Sequence, residues 1–576
     1  MLKLMCRGIN MIDKIKEEIR KELEEALEAK HAQKINVVVE QPKSINLGDI
    51  SIPVFSIVKV LRKPMNEIID QLKIFLDNSI YSLMFKEINT IGGFINITLD
   101  RIAFSKAVIK NAQETVLEKS NYGLSQTVVI DYSSPNIAKP FSVGHLRSTI
   151  IGHAIGNICE KLGYKVHRIN HLGDFGTQFG KIIYAYLNYG DKEKVKENPI
   201  EELVKLYVEF HELAKINPEI EDKAREIFKE LELGNPEYVK LWSYFREVSL
   251  KEYMKVYEML DVSFDSYDGE AFYNDKMQRI VDELKEKGLL VKDEGAMIVD
   301  LGDAFPPALI QKSDGSTLYI TRDLAALFYR LETYDFNEVL YVVGNEQKLH
   351  FEQLKEVVRL MGYEIYHNIH HINFGLVLQD GKKMSTRKGK IVKLADVLDE
   401  ACKLSLEYIN EKNPNLPNKE LIAKKIGVSA VIFNDLKNYR VNEIEFNLED
   451  MVNFTGQTGP YLQYTSVRIT SILTDYVYDL NNLDYRLFIH DHSFELIKNI
   501  AQFEEILIKA KVEYSPSVLA KYLLNLASYF NSFYAKEKII VENDLERNTK
   551  LCLISIIRSI LDEGMRLLGM QVITKM

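Results

Sequence analysis

From residue 11 to residue 30, apolar side chains recur at three- and four-residue steps: Ile12, Ile15, Ile19, Leu23 and Leu27, with charges between them. That spacing gathers them on one stripe and predicts an amphipathic surface helix. Short apolar runs follow at 35–39 and 50–54, then a helix-like stretch at 64–76. Gly92-Gly93 precedes a strand-like Phe94-Ile95-Asn96-Ile97-Thr98. Together these elements predict a small α+β domain over 1–120, closed by the polar Lys119-Ser120-Asn121-Tyr122-Gly123.

The pattern changes at Thr127. Val128-Val129-Ile130 is fully apolar, as expected of a strand buried in a parallel sheet. Beyond a polar loop, Leu146, Ile150, Ala154, Ile158 and Leu162 recur every four residues, and Gly163 is placed to end that helix. Residues 164–169 return as a strand. A strand–helix–strand opening of this kind predicts a Rossmann-like, doubly wound α/β domain, here over 121–400. Residues 185–290 are charged and helical in pattern and read as an insertion. Strand-like runs resume at 296–300, 318–320, 339–343 and 372–378. From about 395 the pattern is helical. Three faces stand out: Ile497, Ile500, Phe503 and Leu507; Leu519, Leu523, Leu526 and Phe530; and Leu551, Ile554, Ile557 and Leu561. This predicts a helical connector over 401–455 and an all-α domain over 456–576.

Composition adds limits. The chain has 576 residues, 46% of them hydrophobic and 27% charged, which is globular. Lys+Arg 73 against Asp+Glu 83 gives a net charge of −10, which argues against gripping nucleic acid by net charge alone. Cys6, Cys159, Cys402 and Cys552 include no CxxC pair, so neither a zinc knuckle nor a disulfide framework is expected. Scarce cysteine fits a reducing compartment. No run approaches the ~18 apolar residues of a membrane span, and the N-terminus lacks a signal-peptide core. The expectation is a soluble cytoplasmic protein without a membrane partner.

Two loops carry the chemistry. The first is Asp131-Tyr132-Ser133-Ser134-Pro135-Asn136-Ile137-Ala138-Lys139-Pro140-Phe141-Ser142-Val143-Gly144-His145, between the first strand and first helix of the α/β domain, where open parallel sheets bind ligands. Helix N-termini attract phosphate, Gly144 lets a nucleotide approach the backbone, and His145 can donate to a phosphate oxygen. The second is Lys382-Lys383-Met384-Ser385-Thr386-Arg387-Lys388-Gly389-Lys390, a basic loop able to cover a triphosphate and neutralise a departing pyrophosphate. Read singly, they are a turn with a core histidine and a solvated basic turn.

Read as a pair they resemble the HIGH and KMSKS signatures of class I aminoacyl-tRNA synthetases, in Ser142-Val143-Gly144-His145 and Lys383-Met384-Ser385-Thr386-Arg387. The flanking Ser133–Pro140 segment, Gly173-Asp174-Phe175-Gly176-Thr177-Gln178-Phe179-Gly180, Tyr319-Ile320-Thr321-Arg322-Asp323 and Gly459-Pro460-Tyr461-Leu462-Gln463-Tyr464 are similar to arginyl-tRNA synthetases, in the family's order along nearly the whole chain. The resemblance implies an arginine–tRNA ligase. Arginine and ATP give arginyl-adenylate and pyrophosphate, and the arginyl group passes to the terminal ribose of tRNA(Arg). It implies His145, Ser142, Lys139, Lys383 and Ser385 as catalytic residues, with Gly144, His145, Lys139, Lys383 and Met384 on ATP. It implies Asp323 and Tyr319 on the guanidinium side, Asp131 and Asn136 on the α-amino and carboxylate groups, and Gln347 lining the same pocket. A planar cation suits a carboxylate partner, and a neutral amino acid would leave that carboxylate unpaired.

Two departures stand out. Ser142 replaces the first signature histidine, and Thr386 replaces the second signature lysine. Lys139 stands where the family compensates for that lysine. The resemblance further implies Mg²⁺ arriving with ATP and no protein-bound metal, a monomer, and a tRNA-elbow contact for the first domain. It implies anticodon binding by the last domain, with Asn531-Ser532-Phe533-Tyr534 a candidate surface. Trp242 is assigned to packing, and His370-His371, just before a strand, is read as structural. Zinc-bearing and editing class I enzymes fit less well, since no zinc site is visible and the chain is too short for an editing insertion. A catalytically silent tRNA-binding paralogue is the alternative, favoured only by Ser142.

Overall fold

The computed structural model describes residues 11–42, 44, 47–312, 319–379, 381–384, 386–387 and 390–576. The first helix, Met11–His31, buries Ile15, Ile19, Leu23 and Leu27, the stripe the spacing predicts. It accompanies an antiparallel sheet in which Phe94–Leu99 lies between Ile50–Pro53 and Phe85–Ile91. Gly92 and Gly93, with φ of 59° and 85°, form the hairpin turn, a conformation with positive φ at both central residues. The run at 35–39 forms no strand; the adjoining Glu40 bridges to Ser51.

Four parallel strands form the central sheet, in the order Ile369–His371, Glu338–Tyr341, Thr127–Asp131, Lys165–Ile169. Val128, Val129 and Ile130 are fully buried. The helix Leu146–Lys161 makes the first crossover, and Gly163 follows it at φ 92°. The sheet grows in opposite directions on either side of Thr127–Asp131, so the carboxyl end of that strand is the topological switch point, where such sheets bind ligands.

Three expectations are corrected. The run at 296–300 is a strand, Ala296–Val299, but it belongs to a separate antiparallel sheet with Leu290–Asp293 and Ala308–Gln311. The tight turn at Glu294-Gly295, both at positive φ, joins neighbours antiparallel, whereas a parallel pair needs a long crossover. The run at 318–320 is not a strand: Leu318 lies outside the described residues, and Tyr319 and Ile320 open the helix Tyr319–Tyr334. A short apolar run cannot by itself distinguish the two. The run at 372–378 does not make one strand either. Val377–Gln379 pairs with Lys382–Lys383 and Ile444–Glu445, and His370-His371 lies inside the sheet strand rather than before it.

The insertion is mostly helical, with the long helix Pro236–Leu260 and, after it, Met277–Glu286. Trp242 there is part-buried and also donates to the Asp174 carbonyl at 2.6 Å. The helices Leu394–Lys412 and Lys419–Leu436 lead to a bundle of Gly459–Thr474, Asp491–Ala501, Phe503–Val512, Pro516–Lys536 and Asp544–Leu567, whose three expected apolar faces are buried. Among the described residues, no helix is long and apolar enough to cross a membrane.

Candidate active site

The segment from Asp131 to Ser142 leaves the switch-point strand and re-enters the fold at the crossover helix. Ser133, Ser134 and Ala138 adopt φ of 73°, 45° and 59°. Non-glycine residues hold such conformations only where the surroundings over-determine them. Here Ser133 N donates to Ser148 Oγ at 2.8 Å, Ser134 N to Asn170 Oδ1 at 3.2 Å and Ile137 N to the Gly173 carbonyl at 3.0 Å. Gly173 has a steric reason: a Cβ there would lie 2.4 Å from Asn136 Oδ1.

At the mouth, Gly144 is exposed and Ser142 buried. Ser142 N donates to His145 Nδ1 at 3.1 Å, and Ser142 Oγ lies 3.3 Å from the same nitrogen. With Nδ1 accepting a backbone proton, the neutral ring carries its own proton on Nε2, free to donate. Burial, assisted by the Lys139 charge, pushes His145 down to about 4, so the ring is neutral at pH 7.

The two loops adjoin. Leaving the basic loop, the chain pairs Lys393 with Ser142, Val143 N donates to the Val392 carbonyl at 3.1 Å, and Leu394 N donates to the Phe141 carbonyl at 2.9 Å. Entering it, Lys382 and Lys383 are exposed, while Met384 is buried and donates its N–H to the Val377 carbonyl. Lys139 is exposed on the first-loop side. Ser385 lies outside the described residues.

A cluster of charged side chains lies behind the first loop. Asp131 is buried; its Oδ2 is 2.8 Å from Arg330 Nη1, and its Oδ1 accepts from Ser134 Oγ. Arg330 is itself buried, with Nη2 3.1 Å from His171 Nδ1. Asp323 Oδ2 is 2.6 Å from His350 Nε2. Burial works against the Asp323 charge, yet the His350 hydrogen bond and the nearby His171 and Arg330 hold it below the usual carboxylate range. Burial raises Glu270 to about 7, with Asp323 and Asp174 adding to the rise and Arg322, 3.5 Å away, opposing it. Tyr319 sits one turn before Asp323 on the same helix and is 67% exposed. Gln347 is exposed in the short helix Asn345–Gln347, three residues before His350. Asn136 is exposed, with its backbone bridged to Gly173.

Sequence reasoning missed Arg330, His171, His350 and Glu270 as parts of this cluster. Arg330 carries a weak signal, seven residues after Asp323 and so on the same helical face. His171 stands two residues before the Gly173–Gly180 motif, and His350 three residues after Gln347. Glu270 gives no local signal, since it arrives from within the insertion, far along the chain from Asp323. In the helical bundle, Phe533 is core, while Tyr534 and Tyr464 are exposed on either side of Arg468, whose guanidinium lies 5.5 and 4.8 Å from their ring centres. Asn531 Oδ1 accepts from Arg468 at 2.8 Å.

Comparison with known proteins agrees with this geometry. The family described as "tRNA synthetases class I (R), catalytic domain" matches residues 107–448. The "DALR anticodon binding domain" matches 462–576, and the "Arginyl tRNA synthetase N terminal domain" matches 13–99. A protein named arginine–tRNA ligase from Exiguobacterium sibiricum is 49% identical over 542 residues, covering 93% of this chain and 95% of its own. Another of that name, from Enterococcus faecalis, is 49% identical over 570 residues, covering 96% and 98%. The crystal structure of the Plasmodium falciparum arginyl-tRNA synthetase superposes with a TM-score of 0.79 at 27% identity, covering 99% of this chain and 100% of that one. The Thermus thermophilus arginyl-tRNA synthetase shares the fold, with a TM-score of 0.80 at 24% identity, covering 98% and 100%. With the profile matched over most of the chain and relatives near half identical along nearly all of it, the chain belongs to the arginyl-tRNA synthetase family of class I enzymes.

Proposed function

We propose that Lys139, Lys383, Gly144, Met384 and His145 bind ATP, and that Asp323, Tyr319, Asp131, Asn136 and Gln347 bind L-arginine. The overall reaction follows from the family: the chain is an arginine–tRNA ligase. It activates arginine with ATP and passes the arginyl group to tRNA(Arg). The observation that carries the residue assignment is the backbone pairing of Lys393 with Ser142 and of Val143 with Val392, which ties the exit of the basic loop to the first signature.

In the first step, a carboxylate oxygen of arginine attacks the α-phosphorus and the bond to the bridging oxygen of pyrophosphate breaks. Negative charge grows on the leaving group. His145, neutral and donating from Nε2, hydrogen-bonds a phosphate oxygen, while Lys139 and Lys383 supply positive charge. Ser142 fixes the His145 ring through its backbone N–H on Nδ1. Ser385 belongs to the same loop chemistry. Asp131, already fixed by Arg330, and Asn136 hold the α-amino and carboxylate groups. In the second step, a hydroxyl of the terminal ribose attacks the arginyl carbonyl and AMP leaves. Mg²⁺ enters on the ATP phosphates, held mainly by them and by water. The reading includes domains over 1–120, 121–400, 401–455 and 456–576, and a cytoplasmic monomer. The first domain touches the tRNA elbow and the last reads the anticodon.

Arginine-dependent ATP–pyrophosphate exchange, with and without tRNA(Arg), tests this. Exchange is expected only with tRNA present. Exchange with another amino acid, or no exchange under any condition, overturns the reading. Lys139→Ala should lower adenylate formation by roughly 10²-fold, the scale of one lost charge-stabilising donor; an unchanged rate removes Lys139 from the phosphate site.

A further inference from the structure

The helical insertion does more than fill space. Its last long helix, Pro236–Leu260, points Ser249, Tyr253 and Tyr257 along one face at four-residue steps. Ala138 N donates to Ser249 Oγ at 3.1 Å. The Tyr253 hydroxyl donates to the Asn136 carbonyl at 2.6 Å and the Lys139 carbonyl at 2.7 Å. A phenol has one proton, so the two carbonyls share it and are drawn to one point. Three backbone groups between residues 136 and 139 thus end on two side chains of a single helix. Between them sits Ala138, at φ 59°, a conformation that relaxes unless held.

We propose that Tyr253 is a positioning residue for Lys139, its hydroxyl holding the 136–139 turn so that the lysine meets the ATP phosphates. The inference rests on the reading of Lys139 as a phosphate ligand. Lys139 is exposed, and a lysine stem is flexible, so what the fold can fix is the backbone that bears it. Thr386 supplies no charge where a second signature lysine would stand, which leaves Lys139 with more of the phosphate work. The clamp reaches the signature histidine too: the Phe141 ring packs edge-on against Tyr253 and lies 5.1 Å from the His145 ring. Burial keeps the Tyr253 hydroxyl protonated, so it stays a donor throughout the working range. Tyr257 provides an internal control. It is buried on the same helix, but its hydroxyl meets Ser133 Oγ and Asn170 Nδ2, each at 2.8 Å, and not the 136–139 turn.

The test is a double-mutant cycle on ATP–pyrophosphate exchange with tRNA present, using wild type, Y253F, K139A, the pair, and Y257F alone and with K139A. Y253F keeps the ring and should lower kcat/KM for ATP about tenfold, the factor for one lost buried hydrogen bond. Acting through Lys139, it should change the rate less than about twofold in the K139A background, while Y257F costs the same factor in both. A loss of folded enzyme would lower both backgrounds alike, so it cannot mimic this coupling. An equal Y253F effect in the two backgrounds, or no effect in either, overturns the positioning role and leaves the phosphate reading intact. An unchanged K139A rate overturns both.

Discussion

Arg147, second residue of the helix Leu146–Lys161, joins parts of the chain that lie far apart in sequence. Its side chain is 1% exposed. Nε is 3.0 Å from Asp435 Oδ2, and Nη1 donates to the carbonyls of Gly375 and Asn442, both at 2.8 Å. Gly375 stands just before the strand that enters the basic loop, and Asp435 lies in the helix Lys419–Leu436. One guanidinium therefore fixes the first signature against the root of the second. Arg147→Met keeps the unbranched stem as far as the position of Nε and removes every donor. Breaking a buried pair by removing one partner costs about 3–5 kcal/mol. Burial outweighs Arg147 and already raises the Asp435 pKa above its ordinary value, so in the variant this carboxyl rises further and can escape part of the cost by protonation. We expect about 4 kcal/mol at pH 7.5, a fall of roughly 3 °C in Tm for a chain of 576 residues melting as one unit. The sign with pH follows. A carboxyl whose folded pKa exceeds its unfolded one binds more protons when folded, so it costs stability as pH rises from the unfolded value through the folded one. The deficit of Arg147→Met relative to wild type should therefore shrink as pH falls from 7.5 to 5. Thermal melts of the full chain by circular dichroism read both numbers. Adding Asp435→Leu should recover at least half of the loss, since replacing both partners with apolar groups is near neutral. A double variant as unstable as the single one, or a deficit that grows on acidification, refutes the argument.

Other outcomes follow from the charged cluster and the surface. Glu270 is raised to about 7 by burial and its acidic neighbours, so its cost is absent below the unfolded carboxylate value near 4.5 and complete above 7; Glu270→Gln should stabilise the enzyme at pH 8 by about 3 kcal/mol and much less at pH 5, read by melts at both. Asp323→Asn should raise the KM for arginine by roughly 10²-fold with far less change in the KM for ATP, measured by exchange kinetics. Binding of tRNA(Arg) should weaken steeply with added salt despite the net charge of −10; filter-binding affinities that ignore salt would contradict local basic patches as the contact surface.

The local parts of this fold were legible because they are decided locally. Leu146, Ile150, Ala154, Ile158 and Leu162 all face the core, and a helix needs only such a stripe to be recognised. The fully apolar Val128-Val129-Ile130 announced a central strand for the same reason. Which sheet Ala296–Val299 joins, and whether Tyr319 starts a helix, depend on a hairpin turn and on partners elsewhere in the chain. The site divides the same way. Ser142, His145, Lys139 and Lys383 stand in contiguous motifs and were readable there. The left-handed turns at Ser133, Ser134 and Ala138 were not, because donors and acceptors on Ser148, Asn170 and Ser249 impose them. Nor was the Arg330 partner of Asp131, set by the packing of a helix against a distant strand.

That last pairing bears on how arginine is selected. The cluster holds four carboxylates, and three are matched by the protein's own guanidinium groups: Asp131 by Arg330 and Asp174 by Arg246, each at 2.8 Å, and Glu270 by Arg322 at 3.5 Å. The fourth, Asp323, is met by a histidine, His350. An imidazole offers one hydrogen bond along one line, whereas a guanidinium offers a fork of donors and a permanent charge. With Asp323 as the guanidinium ligand proposed above, an incoming arginine would complete there the kind of pairing the chain already makes beside it. A neutral amino acid of similar length displaces water from the same carboxylate and returns neither charge nor donors, so its binding carries an uncompensated desolvation cost. Discrimination then comes from what the wrong substrate fails to supply, and it needs no separate site to remove errors.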